Sequence, residues 1–512
     1  MTVLLANAPT RIPLPDGRER FFVKAGSRWP FSIVKRPGES CRYLPFPFSL
    51  AYLAALLDRA GIRVEVFDGV ALNVDRKSFL QRCTGYAPRI ILLESTTPTI
   101  ESDLALCRDL KHQTGALIAL AGAHPTSFAE EILRENEAVD WIFKGEYELN
   151  ALRAIEIALA GCTPTAGRLT DVPGLVHASS GEPRYVQQGP PSGPIDDLDA
   201  LPFPARHLFP TRQAPTMWPY WDGFCQRRPA IQMQSSRGCP FRCTFCCWVS
   251  VIYNNGPYRT FSAGRIVDEM QAVIARYNAR EIYFDDDIFT ASERHVLELC
   301  REIRARDLEV AWSAMGDAMA VTERAIEAMA EAGCIGMKFG VESANTTVLK
   351  SLKKPVKIEK VRQVVRWCAE RGIKTHATIT FGLEGDTLES MQETLDFART
   401  LSVDSIQFSI ATPFPGTELY RRARDRGRLK QVSWDRFDGA LSSVLTFGEM
   451  TPEQVSDFAA RAPSLWLRSR LRDRAWLSRQ ARYFARIAQD QGLAGLSRRA
   501  RRGLDLLLNR PG

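Results

Sequence analysis

The sequence predicts an α/β chain with two sheet-centred units in series. A doubly wound parallel sheet occupies residues 1–160 and a partial (β/α)6 barrel residues 230–430, with a helical tail behind. Three observations carry this expectation. Short β-branched or leucine-rich runs alternate five times with helix-length amphipathic segments before residue 160, and the alternation resumes six times after residue 230. The length of 512 residues also amounts to several ordinary domains rather than one core.

In the first unit, strands are predicted at residues 3–6, 63–67, 89–94, 117–121 and 141–143, and helices at about 48–60, 76–82, 100–113, 127–135 and 146–160. Strand-then-helix repetition implies parallel strands covered on both faces. That Rossmann-like arrangement puts ligands beyond the carboxyl ends of the strands, at the switch point. Residues 161–229 read as a connector, with a hairpin over 172–191 around Ser180 and Gly181, then the proline-rich Leu201-Pro202-Phe203-Pro204. Barrel strands are predicted at 230–235, 281–285, 309–313, 336–341, 374–381 and 405–411, with helices near 263–277, 293–306, 323–331, 358–371 and 388–401. Six units suit a TIM-type barrel that stops short of the eight-unit closed form and keeps an open side. Residues 431–512 complete the chain as a helical, arginine-rich region.

A composition of 45% hydrophobic and 25% charged residues excludes disorder as the main state. The apolar stretch 116–123 is far shorter than the roughly 20 residues a membrane span needs. Residues 2–6 read as a buried strand and not a signal peptide, so a cytoplasmic location is expected. Residues 461–512 hold thirteen arginines, no lysine and three aspartates, a net +10, against +8 for the whole chain. Basicity therefore belongs to the tail, and without a recognisable module no nucleic-acid binding is expected. In the tail, Trp466, Leu467, Leu471, Trp476, Leu477, Tyr483, Phe484 and Ile487 interleave with arginines. One reading is peripheral contact with an anionic membrane, which Arg498, Arg499, Arg501 and Arg502 before residues 504–508 favour. The other has the aromatics packed on the barrel and the arginines in water.

Twelve cysteines in a cytosolic chain remain thiols, metal ligands or catalytic groups. Eight are scattered; the other four crowd into residues 239–247. Cys239, Cys243 and Cys246 follow the spacing Cys-x3-Cys-x2-Cys just after the first barrel strand. Thiolates suit iron–sulfur clusters or zinc. Ordinary four-iron clusters take four cysteines, so three would leave one iron open for chemistry. The alternative is a structural zinc site with Cys247 as fourth ligand, although adjacent Cys246 and Cys247 turn poorly to one ion.

With this motif the sequence resembles the radical S-adenosylmethionine (SAM) superfamily, and within it the cobalamin-binding class, in which a B12-binding Rossmann-like domain precedes a partial barrel. The resemblance covers about residues 2–430. It rests on the three cysteines with Phe245 before the last, supported by Tyr283-Phe284-Asp285-Asp286-Asp287, Gly340-Val341-Glu342-Ser343, Phe381-Gly382-Leu383-Glu384-Gly385-Asp386-Thr387, Pro413-Phe414-Pro415-Gly416-Thr417 and the connector phrase at 195–204. The resemblance implies a [4Fe-4S] cluster on Cys239, Cys243 and Cys246 whose open iron chelates SAM. An external donor of the flavodoxin or ferredoxin type would supply the electron that cleaves SAM to a 5′-deoxyadenosyl radical. By motif position, Phe245 flanks the adenine, Asp286 and Glu342 with Ser343 face the SAM amino group and ribose, and Gly382 permits close backbone approach. The plain alternatives are a solvated turn or helix caps for the aspartates and a turn for Gly382. Where many relatives carry an arginine after Gly316, this chain has Asp317, of opposite charge.

In the first unit the resemblance implies cobalamin contacts from Ser95, Thr96 and Thr97, from Gly122, His124 and Thr126, and from Gly145. The Asp-x-His-x-x-Gly lower-ligand motif is absent, since Asn7-Ala8-Pro9-Thr10 follows the first strand. His124 is equally an ordinary helix-start histidine. A flavin or dinucleotide is the rival occupant, disfavoured by the lack of Gly-x-Gly-x-x-Gly after that strand.

The function implied is a cobalamin-dependent radical SAM methyltransferase acting on an unactivated carbon or phosphinate centre of a small-molecule or lipid substrate. No catalytic side chain is assigned. Rearrangement, ring contraction or oxidative cyclisation without methyl transfer is the alternative, and Phe245-Cys246-Cys247-Trp248 resembles members acting on polycyclic lipids. From another class, the chain would be a non-catalytic Fe-S or B12 sensor.

Overall fold

Leucine, isoleucine and valine runs set the parallel strands of the first unit, and every residue of the central two is buried. In chain order it comprises β1 (Val3–Asn7), β2 (Thr10–Pro13), β3 (Glu19–Ala25), β4 (Arg28–Lys35), α1 (Phe48–Arg59), β5 (Val64–Asp68), α2 (Arg76–Gly85), β6 (Ile90–Glu94), α3 (Ile100–Thr114), β7 (Leu117–Ala121), α4 (Ala123–Ser127), α5 (Ala129–Glu135), β8 (Trp141–Phe143) and α6 (Glu148–Leu159), with β9 (Leu175–Ala178) and β10 (Val186–Gln188) in the connector. The computed structural model describes residues 1–26, 28–39, 41, 44–161, 168–178, 185–209, 220–446, 449–485 and 487–489.

Strand order is β10-β9-β8-β7-β6-β1-β5, with β5, β1, β6, β7 and β8 parallel. The chain reverses direction across the sheet at β1 and β6, so the switch point lies beyond Asn7 and Glu94. The sheet is not purely parallel. β9 adds antiparallel to β8 and β10 to β9, so the connector's hairpin strands extend the sheet and cover an otherwise open edge. The turn around Ser180 and Gly181 lies outside the described residues.

A second departure is the antiparallel sheet β2-β3-β4, inserted between β1 and α1 where no strand was predicted. All seven residues of β3 are buried, charges included. Glu19 is paired with Arg11 and Lys35, and Lys24 with Asp103. Burial on both faces removes the polar alternation by which a strand is recognised in sequence.

The second unit runs β11 (Ala230–Met233), the ribbon β12 (Ser236–Arg237) with β13 (Arg259–Thr260), α7 (Ala263–Tyr277), β14 (Glu281–Phe284), α8 (Glu293–Ala305), β15 (Ala311–Gly316), α9 (Glu323–Glu331), β16 (Cys334–Glu342), α10 (Thr346–Ser351), α11 (Ile358–Glu370), β17 (Lys374–Phe381), α12 (Leu388–Thr400), β18 (Ser405–Ile410), α13 (Glu418–Asp425) and α14 (Pro452–Arg470). Six strands lie in the order β11-β14-β15-β16-β17-β18, all parallel, as an open (β/α)6 barrel. Alternation sends Phe284, Trp312, Phe339 and Phe381 into the core beneath the helices. The opposite positions, among them Tyr283, Lys338 and His376, face the lumen. Side chains of Ser262, Ser292, Thr322, Thr387 and Thr417 cap the following helices, each contributing about 1 kcal/mol.

The described part of the tail packs on the barrel. The Trp466 indole donates to the Ala398 carbonyl and the Trp476 indole to that of Asp404, each at 3.1 Å. Arg468, Arg472, Arg474 and Arg482 are exposed. The arginines from 498 onward and residues 504–508 lie outside the described residues. Among those described, no helix is long and apolar enough to cross a membrane.

Candidate active site

The cysteine loop leaves β11 through Ser235 and Ser236, and two of the three motif aspartates fix it. Asp286, fully buried, accepts from Ser235 N at 2.8 Å and Oγ at 2.5 Å, and from Ser236 N at 3.3 Å and Oγ at 2.9 Å. Burial pushes its carboxyl up to about 6, against those donors. Both oxygens are spent on the loop, so Asp286 organises the backbone leading to the cysteines. Asp287 Oδ2 accepts from Gly238 N at 3.0 Å. Gly238 has φ +89°, and a Cβ there would meet the Pro257 carbonyl oxygen at 2.7 Å, so only glycine makes this turn.

Cys246 is near enough to Cys239 and Cys243 to raise the pKa of both, and Cys239 acts likewise on Cys243. Burial is the main cause, pushing Cys239, Cys243 and Cys246 up to about 12, 12 and 11. Backbone N–H groups of Val249 and Trp248 ease the Cys246 thiolate, and Lys354 favours that form at Cys243 and Cys246. Ligation requires thiolates, so metal binding here must expel protons. Cys247 instead packs with Ala123, Val251, Ile252 and Tyr253 in a small apolar cluster. Three mutually close thiols with a lysine beside them and the fourth in apolar packing fit a three-cysteine cluster. Among the described residues, no three His, Cys, Asp or Glu side chains are gathered as a single-ion site.

Glu342 sits at a bulge in β16 with φ +67°. Its Oε1 accepts from Lys354 Nζ at 2.8 Å and its Oε2 from the Thr380 hydroxyl at 2.8 Å. Lys354 also donates to the Gly340 carbonyl at 2.9 Å and stands 3.8 Å from Asp317. Thus Asp317, where the sequence resemblance led an arginine to be expected, has a cation beside it from another segment. Burial opposes the charge on Lys354, but Glu342 and Asp317 outweigh it and raise its pKa. Ser343 Oγ pairs with the Thr394 hydroxyl at 3.1 Å and accepts from Asn345 N. Gly382 has φ +74°, a left-handed turn beyond β17, and Phe245 is half-buried against the main core.

In the first unit the predicted contact residues fall into two groups. Ser95 donates to Asp103 at 2.7 Å, Thr96 pairs with Thr99 at 2.9 Å, and Thr97 meets His124 Nδ1 at 3.3 Å. Lys24 ties this buried network to β3 through Asp103 at 3.1 Å. His124 lies 5.0 Å from both the Phe128 and Trp434 rings, and burial holds its pKa down to about 3. The second group, Gly122, Thr126 and Gly145, lies where this unit meets the cysteine loop. Thr126 accepts from Gly145 N at 3.2 Å, and a Cβ on Gly145 would lie 3.1 Å from the Ile252 carbonyl oxygen. Ile252 closes the π-helical turn Trp248–Ile252 that follows the cysteines. Near the switch point, Asn7 Oδ1 and Thr10 Oγ1 are buried without a partner, acceptors suited to the amide rim of a macrocycle.

Sequence reasoning missed the charges joining the two units. Arg237, two residues before Cys239, donates to Glu146 at 2.9 Å and Glu148 at 2.8 Å, and Arg259 to Glu146 at 2.8 Å. Arg28, from the insertion, donates to the Asp285 carbonyl at 3.0 Å and to Asp287 at 3.3 Å, and lies over the Trp248 ring. No local pattern announces such pairs. A surface cleft of about 310 Å³ between α1, residues 202–207 and α7 contains none of these residues.

Residues 233–398 match the radical SAM superfamily and residues 38–154 the B12 binding domain. The chain belongs to the cobalamin-binding radical SAM family. It is 27% identical over 417 residues, 81% of this chain and 86% of the other, to an uncharacterised methyltransferase of Pyrococcus horikoshii. To the anaerobic magnesium-protoporphyrin IX monomethyl ester cyclase of Rubrivivax gelatinosus it is 25% identical over 397 residues, 74% of this chain and 66% of that protein. The solved radical SAM methyltransferase TsrM of Kitasatospora setae superposes with a TM-score of 0.62 at 19% identity over 84% of this chain and 77% of that one, a likeness of fold. The B12-binding match spans β5 to β8 of the first sheet and the radical SAM match β14 to β17 of the second.

Proposed function

We propose that this protein is a cytoplasmic, cobalamin-dependent radical SAM methyltransferase that methylates an unactivated carbon or a phosphinate phosphorus of a small molecule. The supporting observation is the docking of the first sheet's carboxyl ends, through Gly145, Glu146 and Glu148, onto both flanks of the cysteine loop, Arg237 and Ile252. A carrier bound at those strand ends faces whatever the cysteines hold. When bound, a four-iron cluster with SAM supplies electron-driven cleavage to a hydrogen-abstracting radical, and cobalamin supplies the methyl carrier.

The chain's own residues do the holding. Cys239, Cys243 and Cys246 would ligate three irons, and Lys354 offsets negative charge at Cys243. Glu342, fixed by Lys354 and Thr380, presents a carboxylate at the barrel mouth. Arg28 and Trp248 stack over that mouth and help exclude water, which would quench a radical. Asn7 and Thr10 offer acceptors to cobalamin, while the network around Ser95, Thr96, Thr97 and His124 stiffens the loop beside it. The electron comes from an external flavodoxin- or ferredoxin-type donor, and the tail's exposed arginines suit peripheral contact with an anionic membrane.

A second reading, radical cyclisation or rearrangement without methyl transfer, is favoured by the likeness to the Rubrivivax cyclase. Anaerobic reconstitution with SAM, cobalamin and reductant separates the readings. A methyltransferase forms both S-adenosylhomocysteine and 5′-deoxyadenosine; a cyclase or mutase forms 5′-deoxyadenosine alone; a sensor forms neither.

A further inference from the structure

Strand alternation decides what the barrel lumen contains. Tyr283 packs inward with Phe224 and Ala230, whereas Phe284 stacks outward on Phe289, 5.1 Å between rings. Asp285, two residues beyond Tyr283, shares its side, and Gln234 shares the side of Ala230. The two neighbour each other, because the Asp285 amide donates to the carbonyl of Met233 at 2.9 Å. Both are buried, at 2% and 4% exposure, and both carry an acceptor with no partner, Asp285 Oδ2 and Gln234 Oε1. An unmet buried carboxylate oxygen is costly, and a native site keeps one where something else supplies the donor.

The surroundings give the depth and the charge. Asp287 is bonded to Gly238 N of the cysteine loop, and Asp285 lies two residues earlier, nearer the strand. Beneath, Lys338 is paired with Asp222 at 2.5 Å and lies over the Tyr283 ring. Arg28 takes the Asp285 carbonyl and pairs with Asp287. Three acidic groups, Asp222, Asp285 and Asp287, therefore meet two cations, and Arg28 and Lys338 favour the charged form of Asp285 against its burial. Across the lumen, His376 is bonded to Ser405 at 2.8 Å and Gln407 to Ser409 at 3.1 Å. That wall is polar, whereas Tyr283 and Phe224 give the other side aromatic surface.

We propose that the lumen beneath the cysteine loop is the substrate chamber and that it takes a small polar molecule bearing a protonated amine, held by Asp285 and Gln234. Naming this ligand the substrate rests on the methyltransferase reading. SAM also carries an ammonium group, so the test is run with SAM already bound.

The probes are benzylamine and benzoate, matched in shape and opposite in charge, titrated by saturation-transfer NMR into the anaerobically reconstituted full-length protein with saturating SAM. Benzylamine is expected to bind and benzoate not to. Asp285→Asn is expected to weaken benzylamine at least about tenfold. Gln234→Met, which deletes the second acceptor at similar volume, should weaken it less and serves if Asp285→Asn does not fold. Equal binding of the two probes, benzylamine binding only when SAM is left out, or unchanged affinity in the folded variants would overturn the proposal. Iron content and 5′-deoxyadenosine formation in the same samples report on the enzyme reading separately, so either can fail alone.

Discussion

Glu148, at the start of α6, accepts from Arg237 at 2.8 Å with side-chain exposures of 0% and 3%. This pair, with Glu146 and Arg259, fastens the first sheet to the strand that delivers Cys239. Removing one partner leaves a buried charge uncompensated. Glu148→Ala should therefore destabilise by about 3–5 kcal/mol, whereas Arg237→Met with Glu148→Leu should recover much of that loss. Urea unfolding of the single and double variants checks this, and equal costs in both would show that the pair does not couple the units.

Lys354 is the cation shared by Glu342, Asp317 and the neighbouring Cys243. Without it, two carboxylates face the thiolates and the SAM carboxylate. Lys354→Met should leave iron content intact and lower 5′-deoxyadenosine formation at least about tenfold, roughly 1.4 kcal/mol or more in barrier. Lys354→Arg should restore part of it. Equal rates in all three proteins would remove Lys354 from the site.

Burial keeps His124 neutral in the folded chain down to about pH 3, while an unfolded histidine takes a proton near 6.5. Between those values the unfolded state binds more protons, so this group's contribution to stability falls as pH falls. At about 1.4 kcal/mol per pH unit, going from pH 7 to pH 5 costs the parent about 2 kcal/mol through His124. His124→Gln should lose that much less over the same interval, measured by denaturant unfolding at both pH values. An identical pH dependence would place His124 in solvent contact.

How far sequence revealed this architecture depends on how local each signal is. β7 at Leu117–Ala121, β17 at Lys374–Phe381 and α7 at Ala263–Tyr277 coincide with their predicted bounds, because each carries its own periodicity. The cysteine spacing was equally legible, since one loop contains it. β3 was not, because Glu19 and Lys24 look like solvent-facing charges until Arg11, Lys35 and Asp103 are brought to them. Asp286 stands where a SAM contact was expected, yet its partners, Ser235 and Ser236, lie some fifty residues earlier. Pairing across such separations leaves no mark on neighbouring sequence.

Gly145 adopts φ +70° with the Ile252 carbonyl oxygen just beyond its Cα. Gly145→Ala adds left-handed strain of about 1–2 kcal/mol and presses a methyl group on that oxygen. The variant should unfold at lower urea and protect the amides of residues 248–252 less in hydrogen exchange. Unchanged protection there would mean that the two units do not meet through this glycine.

The most direct test of the central claim is the Mössbauer spectrum of anaerobically ⁵⁷Fe-reconstituted protein, recorded with and without SAM. A four-iron cubane is expected in which SAM alters the signal of about one iron in four, the one without a cysteine ligand. A spectrum without a cubane, or a cubane whose irons all ignore SAM, would contradict the assignment of Cys239, Cys243 and Cys246 as a three-thiolate, open-cornered cluster site.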